Sequence, residues 1–81
     1  MRNTISSPRS DSLSVRAVLA ANVVKLREKK KWSQEMLGFE CGLHRTFIAH
    51  VERQARNISI DNIEKIATAL GVEPYQLLKP T

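Results

Sequence analysis

The segment Ser33–Arg53, SQEMLGFECGLHRTFIAHVER, predicts two short helices joined by a tight turn. Ser33 can cap the first helix by accepting a hydrogen bond from the free backbone amides of its first turn. Gly42 is expected to form the turn, because glycine adopts the left-handed conformation at little cost after a helix. Between them, Leu37 and Cys41 recur at helical spacing and are expected to face the interior. The segment therefore predicts two helices held at a fixed angle.

The second helix of this pair is predicted to have one apolar and one polar face. Its apolar residues, at helical spacing, are Phe47, Ile48, Val51 and Ala55. The residues of the opposite face, at about 100° per residue, are Arg45, Thr46, Ala49, His50 and Arg53. That face is basic and polar, with little bulk at its centre. A short helix that presents such a face suits the major groove of DNA.

These residues resemble those of a known family. Residues 33–53 resemble the helix-turn-helix of the Xre family, of the Cro and phage-repressor type, in Gln34, in the turn at Gly42, in Ile48 and in the ending Val51-Glu52-Arg53. Extended through LHRTFIAHVERQARNISIDNIEKIATAL, the segment looks closest to restriction-modification controller proteins. The resemblance covers residues 15–78 and implies an all-α fold, a compact five-helix lambda-repressor-like DNA-binding domain.

Composition agrees with a small helical protein. The 81 residues are enough for one small domain, and a content of 42% hydrophobic but only 5% aromatic residues favours a helical bundle with an aliphatic core. The net charge of +5 favours a polyanion such as nucleic acid or an acidic membrane surface. Charge alone is equally consistent with a solvated basic surface that has no partner.

The sequence predicts a cytoplasmic protein without a membrane partner. Residues 15–24 are rich in apolar side chains, but Arg16 and Asn22 interrupt them and the run is too short to span a bilayer. The single cysteine, Cys41, cannot form an internal disulfide, so nothing calls for an oxidising compartment.

The chain is predicted to consist of an arm and one domain. Residues 1–12, MRNTISSPRSDS, contain one apolar residue, Ile5, and predict a flexible arm. A plain tail is favoured over an arm that enters a DNA minor groove. Residues 13–81 are predicted to form the DNA-binding domain.

Three further helices are expected in that domain. The first covers residues 13–30, with Ser12 or Ser14 as its cap and an inner side of Val15, Val18, Leu19, Val23 and Leu26. The fourth begins after Ser59, ends at Gly71 and has a buried side of Ile60, Ile63, Ile66, Ala67 and Leu70. In the fifth, Glu73 is the cap and Pro74 fits the first helical position.

The resemblance implies that Arg45 and Thr46 read bases. Arginine can donate two hydrogen bonds to guanine, and threonine offers a hydroxyl and a methyl group, which suits thymine. The other residues predicted to lie at the DNA near this helix are His44, Ala49, His50 and Arg53. Ala49 would allow close approach, and His50 and Arg53 would reach flanking bases or phosphates. A solvated helix face is the alternative.

Contacts to the DNA backbone are expected on either side of this helix. Gln34 opens the first helix of the pair, where its amide and the helix's own free amides can hold a phosphate. Arg56 and Asn57 resemble the Arg-Asn pair of controller proteins, which meets a phosphate or a groove edge. The chain departs from the family at Gln54, where glycine is usual. It departs again at Gly38, where alanine is usual and glycine is expected to weaken the helix by about 1 kcal/mol.

Two further sets of residues are predicted to have structural roles. The resemblance implies that Arg27 and Glu52 form a pair that ties the first helix to the recognition helix. A homodimer on a palindromic operator is expected, because one short helix reads only a few base pairs. The apolar residues of the last helix, with part of the fourth, predict the dimer interface: Tyr75, Leu77 and Leu78.

The function predicted is sequence-specific regulation of transcription, for example repression. An antitoxin-type protein-binding module that also represses its own operon is the alternative from another class. No catalysis, cofactor, metal or small-molecule substrate is expected. His44 and His50 would point about 120° apart on a helix, and Cys41 with His44 would supply only two of the four ligands of a zinc site.

Overall fold

The computed structural model describes residues 14–81, which form five helices and no strand. The bounds of the helices are α1 Val15–Lys29, α2 Gln34–Cys41, α3 Arg45–Glu52, α4 Ile60–Leu70 and α5 Pro74–Leu77. The predicted arm, residues 1–12, lies outside the described residues, as does Leu13. The prediction of an all-α, five-helix fold is confirmed.

Side-chain caps explain where these helices begin. Ser14 Oγ accepts a hydrogen bond from the backbone N–H of the third residue of α1 at 3.1 Å, so Ser14, rather than Ser12, caps this helix. Ser33 and Ser59 cap α2 and α4 in the same way, at 3.0 and 3.1 Å. The short α5 begins with a reciprocal pair, in which the backbone N–H of Glu73 donates to Gln76 Oε1 at 2.8 Å.

Each helix contributes one large, fully buried side chain to a single core. These residues, in chain order, are Val23, Leu37, Ile48, Ile66 and Leu77. Leu19, Cys41, Val51, Ala67 and Leu70 complete the buried cluster. The side of α3 that carries Ile48 and Val51 is therefore held against the core, which leaves the opposite side of α3 at the surface.

The core position of Leu77 shows that its assignment to the dimer interface is wrong. Its exposed fraction is 0%, whereas those of Tyr75 and Leu78 are 65% and 38%. The buried Asn22 of α1 accounts for this, because its Nδ2 donates to the carbonyl oxygens of Leu77 at 2.8 Å and of Lys79 at 3.0 Å. These bonds satisfy free carbonyls at the end of α5 and hold the helix against α1.

Three other apolar residues lie at the surface, contrary to expectation. Val15 and Ile60 are exposed because each is the first residue of its helix, one turn before the side chains that face the core. Ala55 is exposed and lies beyond α3, which ends at Glu52. Gln54, the residue before it, has a left-handed φ of 61°, so the chain has already turned away before Ala55.

No helix within residues 14–81 is long and apolar enough to cross a membrane. The same residues contain no group of three or more histidine, cysteine or acidic side chains placed to hold a metal ion.

Candidate DNA interface

The turn between α2 and α3 sets the angle of α3. Gly42 adopts the predicted left-handed conformation, with φ at 74°, and the N–H of Leu43 donates to the carbonyl of Gly38 at 2.9 Å. A Cβ on Gly38 would lie only 2.5 Å from the carbonyl oxygen of Leu43 and 3.2 Å from the nitrogen of Arg45. Gly38 therefore does more than lower helix propensity, because its missing side chain lets the start of α3 pack directly against α2.

His44 caps α3 with its side chain. Its Nδ1 accepts a hydrogen bond from the backbone N–H of Thr46 at 3.0 Å, and the residue is exposed. A neutral imidazole that accepts at Nδ1 carries its proton on Nε2. His44 therefore positions the first turn of α3 and keeps one N–H donor for an acceptor outside the protein.

None of the five predicted face residues of α3 belongs to the buried core; four lie in the helix, and Arg53 directly follows it. Arg45, Thr46 and Arg53 are exposed, while Ala49 and His50 are half-buried. Among the described residues, His50 Nδ1 is enclosed and has no hydrogen-bond partner. Only Nε2 of this ring is then left for a contact with a ligand.

Arg45 is only loosely held within the protein. Its Nη1 lies 3.6 Å from Oε1 of Glu35 in the first turn of α2, and the two side chains are 65% and 74% exposed. Exposed pairs of this kind contribute about 0–1 kcal/mol. The guanidinium can therefore leave Glu35 for another acceptor at little cost.

Glu52, at the other end of α3, is bound tightly by α1 and α2. Its carboxylate accepts from Nε and Nη2 of Arg27 at 2.7 and 3.0 Å and from Nε2 of Gln34 at 2.8 Å. Arg27 also donates to the carbonyl of Trp32 at 2.8 Å. The hydrogen bond to Glu52 raises the pKa of Arg27 above its ordinary value, against the opposing effect of burial. The structure thus brings Arg27 and Glu52 together and ties three helices through one carboxylate.

Gln34 takes part in this network, which restricts the role predicted for it. One N–H of its amide donates to Glu52, so a single N–H of the side chain remains for a phosphate. The backbone amides at the start of α2 are the other donors at this point of the surface.

The linker between α3 and α4 carries the last two candidates, Arg56 and Asn57, both exposed. Gln54 takes the left-handed φ that the usual glycine would adopt, and the N–H of Ala55 donates to the carbonyl of His50 at 2.8 Å. Oδ1 of Asn57 accepts a hydrogen bond from Nη2 of Arg16, in the first turn of α1. No sequence signal pointed to Arg16, because the two residues are 41 positions apart.

The fold and this surface define a class. The helix α3 packs against α2 across a tight turn. Its inner side lies in the core, and its outer side is basic and polar. This arrangement is that of a helix-turn-helix DNA-binding domain, in which α3 is the recognition helix. The chain belongs to the helix-turn-helix family HTH_3, whose profile matches residues 23–77.

Relatives of the chain include proteins named as hypothetical transcription factors. The chain is 51% identical over 77 residues to the Neisseria hypothetical transcription factor of Neisseria meningitidis serogroup B (strain MC58). The aligned residues cover 95% of this chain and 73% of that protein. A crystal structure of a hypothetical transcription factor from Neisseria superimposes with a TM-score of 0.83 at 51% identity, over 95% of this chain and 88% of that one.

Control proteins are among the other relatives. Control protein C.BamHI of Bacillus amyloliquefaciens is 52% identical over 66 residues, which are 80% of this chain and 82% of that protein. The restriction-modification controller protein C.AhdI from Aeromonas hydrophila superimposes with a TM-score of 0.74 at 44% identity, over 76% of this chain and 94% of that one. The chain is a DNA-binding transcription regulator of the helix-turn-helix family.

Proposed function

We propose that this protein is a restriction-modification controller that binds a palindromic operator as a homodimer. The observation that carries the proposal is the exposed, basic outer side of α3, fixed in place by Ile48 and Val51 in the core and by Glu52 at its end. The names of the relatives C.BamHI and C.AhdI support the controller role. The protein acts by binding DNA in the cytoplasm, without catalysis or a cofactor.

Base reading is assigned to the start of α3. Arg45 donates to guanine and Thr46 contacts thymine, because both side chains are exposed at the end of the helix that enters the groove. Ala49 allows close approach to the bases. His50 through Nε2, and Arg53, reach the flanking bases or phosphates.

Backbone contacts are assigned to groups that present N–H donors around α3. His44 donates through Nε2, and Gln34 through its remaining side-chain N–H together with the amides of α2. Arg56 and Asn57 supply donors from the linker. Phosphate contacts of this kind fix the register of a protein on the duplex but do not read its sequence.

A homodimer is proposed because α3 has only eight residues and one such helix reads few base pairs. With Leu77 in the core, the interface is assigned to Tyr75 and Leu78. The side chains of Tyr75 and Leu78 are 65% and 38% exposed, so they form an apolar patch at the surface of the fold. A two-fold contact places this patch against the same patch of a second copy.

Selection from a pool of random duplexes tests the function. The expected product is a two-fold symmetric sequence whose half-sites lie about 34 Å apart, one turn of the duplex. If repeated rounds of selection enriched no sequence, the proposed sequence-specific function would be wrong.

A Tyr75→Asp, Leu78→Asp double variant tests the assembly. Both side chains are exposed, so the variant is expected to keep its helical circular dichroism while becoming a monomer in sedimentation and binding the selected duplex weakly. Leu77→Asp is the matched comparison and is expected to unfold, since it places an unpaired carboxylate in the core. A double variant that remained dimeric would exclude this interface.

A further inference from the structure

Arg16 connects the start of α1 to the linker behind the recognition helix. Its Nη2 donates to Oδ1 of Asn57, and both side chains are exposed. The first turn of α1 and the linker also meet along a groove, which is lined by Arg16 and Val15 from α1 and by Asn57 and Ile58 from the linker. The first turn of α1 therefore lies beside the segment to which backbone contacts were assigned.

The positive charge of Arg16 is not neutralised within the described residues. In residues 14–81 the salt bridges join Arg27 to Glu52 and Arg45 to Glu35. Arg16 instead bonds to a neutral amide, and the linker next to it adds the charge of Arg56. Such guanidinium groups are available to a phosphate, whose neutralisation releases counterions from the DNA.

The bond from Arg16 also determines what Asn57 can present. Asparagine reads adenine by using its oxygen and its nitrogen together. Because Oδ1 already accepts from Arg16, one of its two lone pairs is used, whereas both Nδ2 N–H donors remain. With its oxygen turned toward Arg16, the amide presents mainly N–H donors, which suit a phosphate, because a phosphate only accepts.

We propose that Arg16 contacts the DNA backbone. Its guanidinium holds the Asn57 amide so that the Nδ2 donors point outward, and Arg16 and Asn57 donate to one and the same phosphate. The guanidinium has five N–H donors, of which one is used by Asn57. The proposal rests on the proposed function and extends the DNA interface to α1. It predicts a sequence-independent contribution to affinity.

The test compares Arg16→Ala with Lys65→Ala. Lys65 is exposed on α4 and lines a groove with Glu40, Cys41 and Glu64, none of which is a candidate DNA residue. Both variants remove one positive charge. Affinities of each, and of the wild type, are measured by fluorescence anisotropy on the selected duplex and on a scrambled duplex of the same length, over a series of salt concentrations.

Arg16→Ala is expected to lower affinity by the same factor on both duplexes. The slope of log affinity against log salt should become less negative by about 0.9 for each phosphate that the protein no longer neutralises. Lys65→Ala should leave affinity and slope close to those of the wild type. Asn57→Ala should also lower affinity equally on the two duplexes, but its slope should stay close to that of the wild type, because the amide carries no charge. The double variant should be weakened by less than the sum of the two effects, because both residues bind one phosphate.

Two results would overturn the proposal while leaving the proposed function intact. In the first, wild type binds the selected duplex but Arg16→Ala matches Lys65→Ala in affinity and slope. In the second, Arg16→Ala changes the ratio of affinities between the two duplexes, which would make Arg16 a base reader. If the wild type bound both duplexes equally, the proposed function itself would fail, and the proposal on Arg16 with it.

Discussion

Two ion pairs join α3 to its neighbours, and they differ in almost every physical respect. Arg27 and Glu52 have side chains only 13% and 7% exposed and meet through two hydrogen bonds, of 2.7 and 3.0 Å. Arg45 and Glu35 are 65% and 74% exposed and approach to 3.6 Å at a single pair of atoms. Each pair consists of an arginine and a glutamate, so residue type alone does not distinguish them.

The difference between the pairs shows how one helix can be held rigidly and still present a side chain that is free to bind DNA. The buried pair fixes the end of α3 to α1, because leaving either charge without its partner would be costly. The exposed pair leaves the guanidinium of Arg45 in solvent at the start of α3, where DNA can replace Glu35 as its partner. The fold thus uses its strong ion pair to position the helix and keeps its weak one at the binding surface.

The largest effect is expected from Glu52→Ala. The change leaves the guanidinium of Arg27, whose side chain is only 13% exposed, without its carboxylate and should lower the free energy of unfolding by about 3 kcal/mol or more. For a domain of this size, Tm should fall by more than about 10 °C in a thermal melt. Glu35→Ala is the control and should leave Tm nearly unchanged. An unchanged Tm for Glu52→Ala would show that the buried pair stabilises the fold no more than the exposed pair does.

Arg27→Lys is expected to have an intermediate effect. Lysine keeps the charge but cannot donate two parallel hydrogen bonds to Glu52 and a third to the carbonyl of Trp32. The expected decrease is about 1–3 kcal/mol in the free energy of unfolding, measured by urea denaturation. Arg45→Lys should have no measurable effect in the same experiment. Equal decreases in the two variants would mean that the hydrogen-bond geometry of the buried pair is unimportant.

Glu35→Gln is expected to have the smallest effect, an increase in DNA affinity. It frees Arg45 from its weak partner and removes a negative charge near the DNA, which should strengthen binding by no more than about fivefold. Glu40→Gln, in the same helix but beside Lys65, is the matched control for removal of an acidic residue. Weaker binding by Glu35→Gln would show that Glu35 holds Arg45 in its productive position.

The sequence predicted the features that depend on nearby residues. The caps at Ser33 and Ser59 and the left-handed turn at Gly42 each follow from the conformational preference of one residue next to a helix end. The polar face of α3 follows from its helical period in the same way. These features are local, so a single sequence is enough to find them.

Features that depend on packing between distant segments could not be predicted in this way. Leu77 and Leu78 are adjacent and chemically identical, but Leu77 packs in the core and Asn22 of α1 bonds to the end of α5, a contact between residues at least 55 positions apart. The contact of Arg16 with Asn57 depends on how α1 lies against the linker. The close approach at Gly38 likewise depends on where the turn places the carbonyl of Leu43.

The most direct test of the central claim is the discrimination shown by Arg45→Ala. Affinities for the selected duplex and for duplexes with single guanine substitutions are measured at one salt concentration, beside the wild type. The variant should keep its Tm but lose discrimination worth about 1–3 kcal/mol at one base pair. An equal decrease of affinity on all duplexes, with discrimination unchanged, would show that Arg45 contacts only phosphate and would contradict the assignment of base reading to the start of α3.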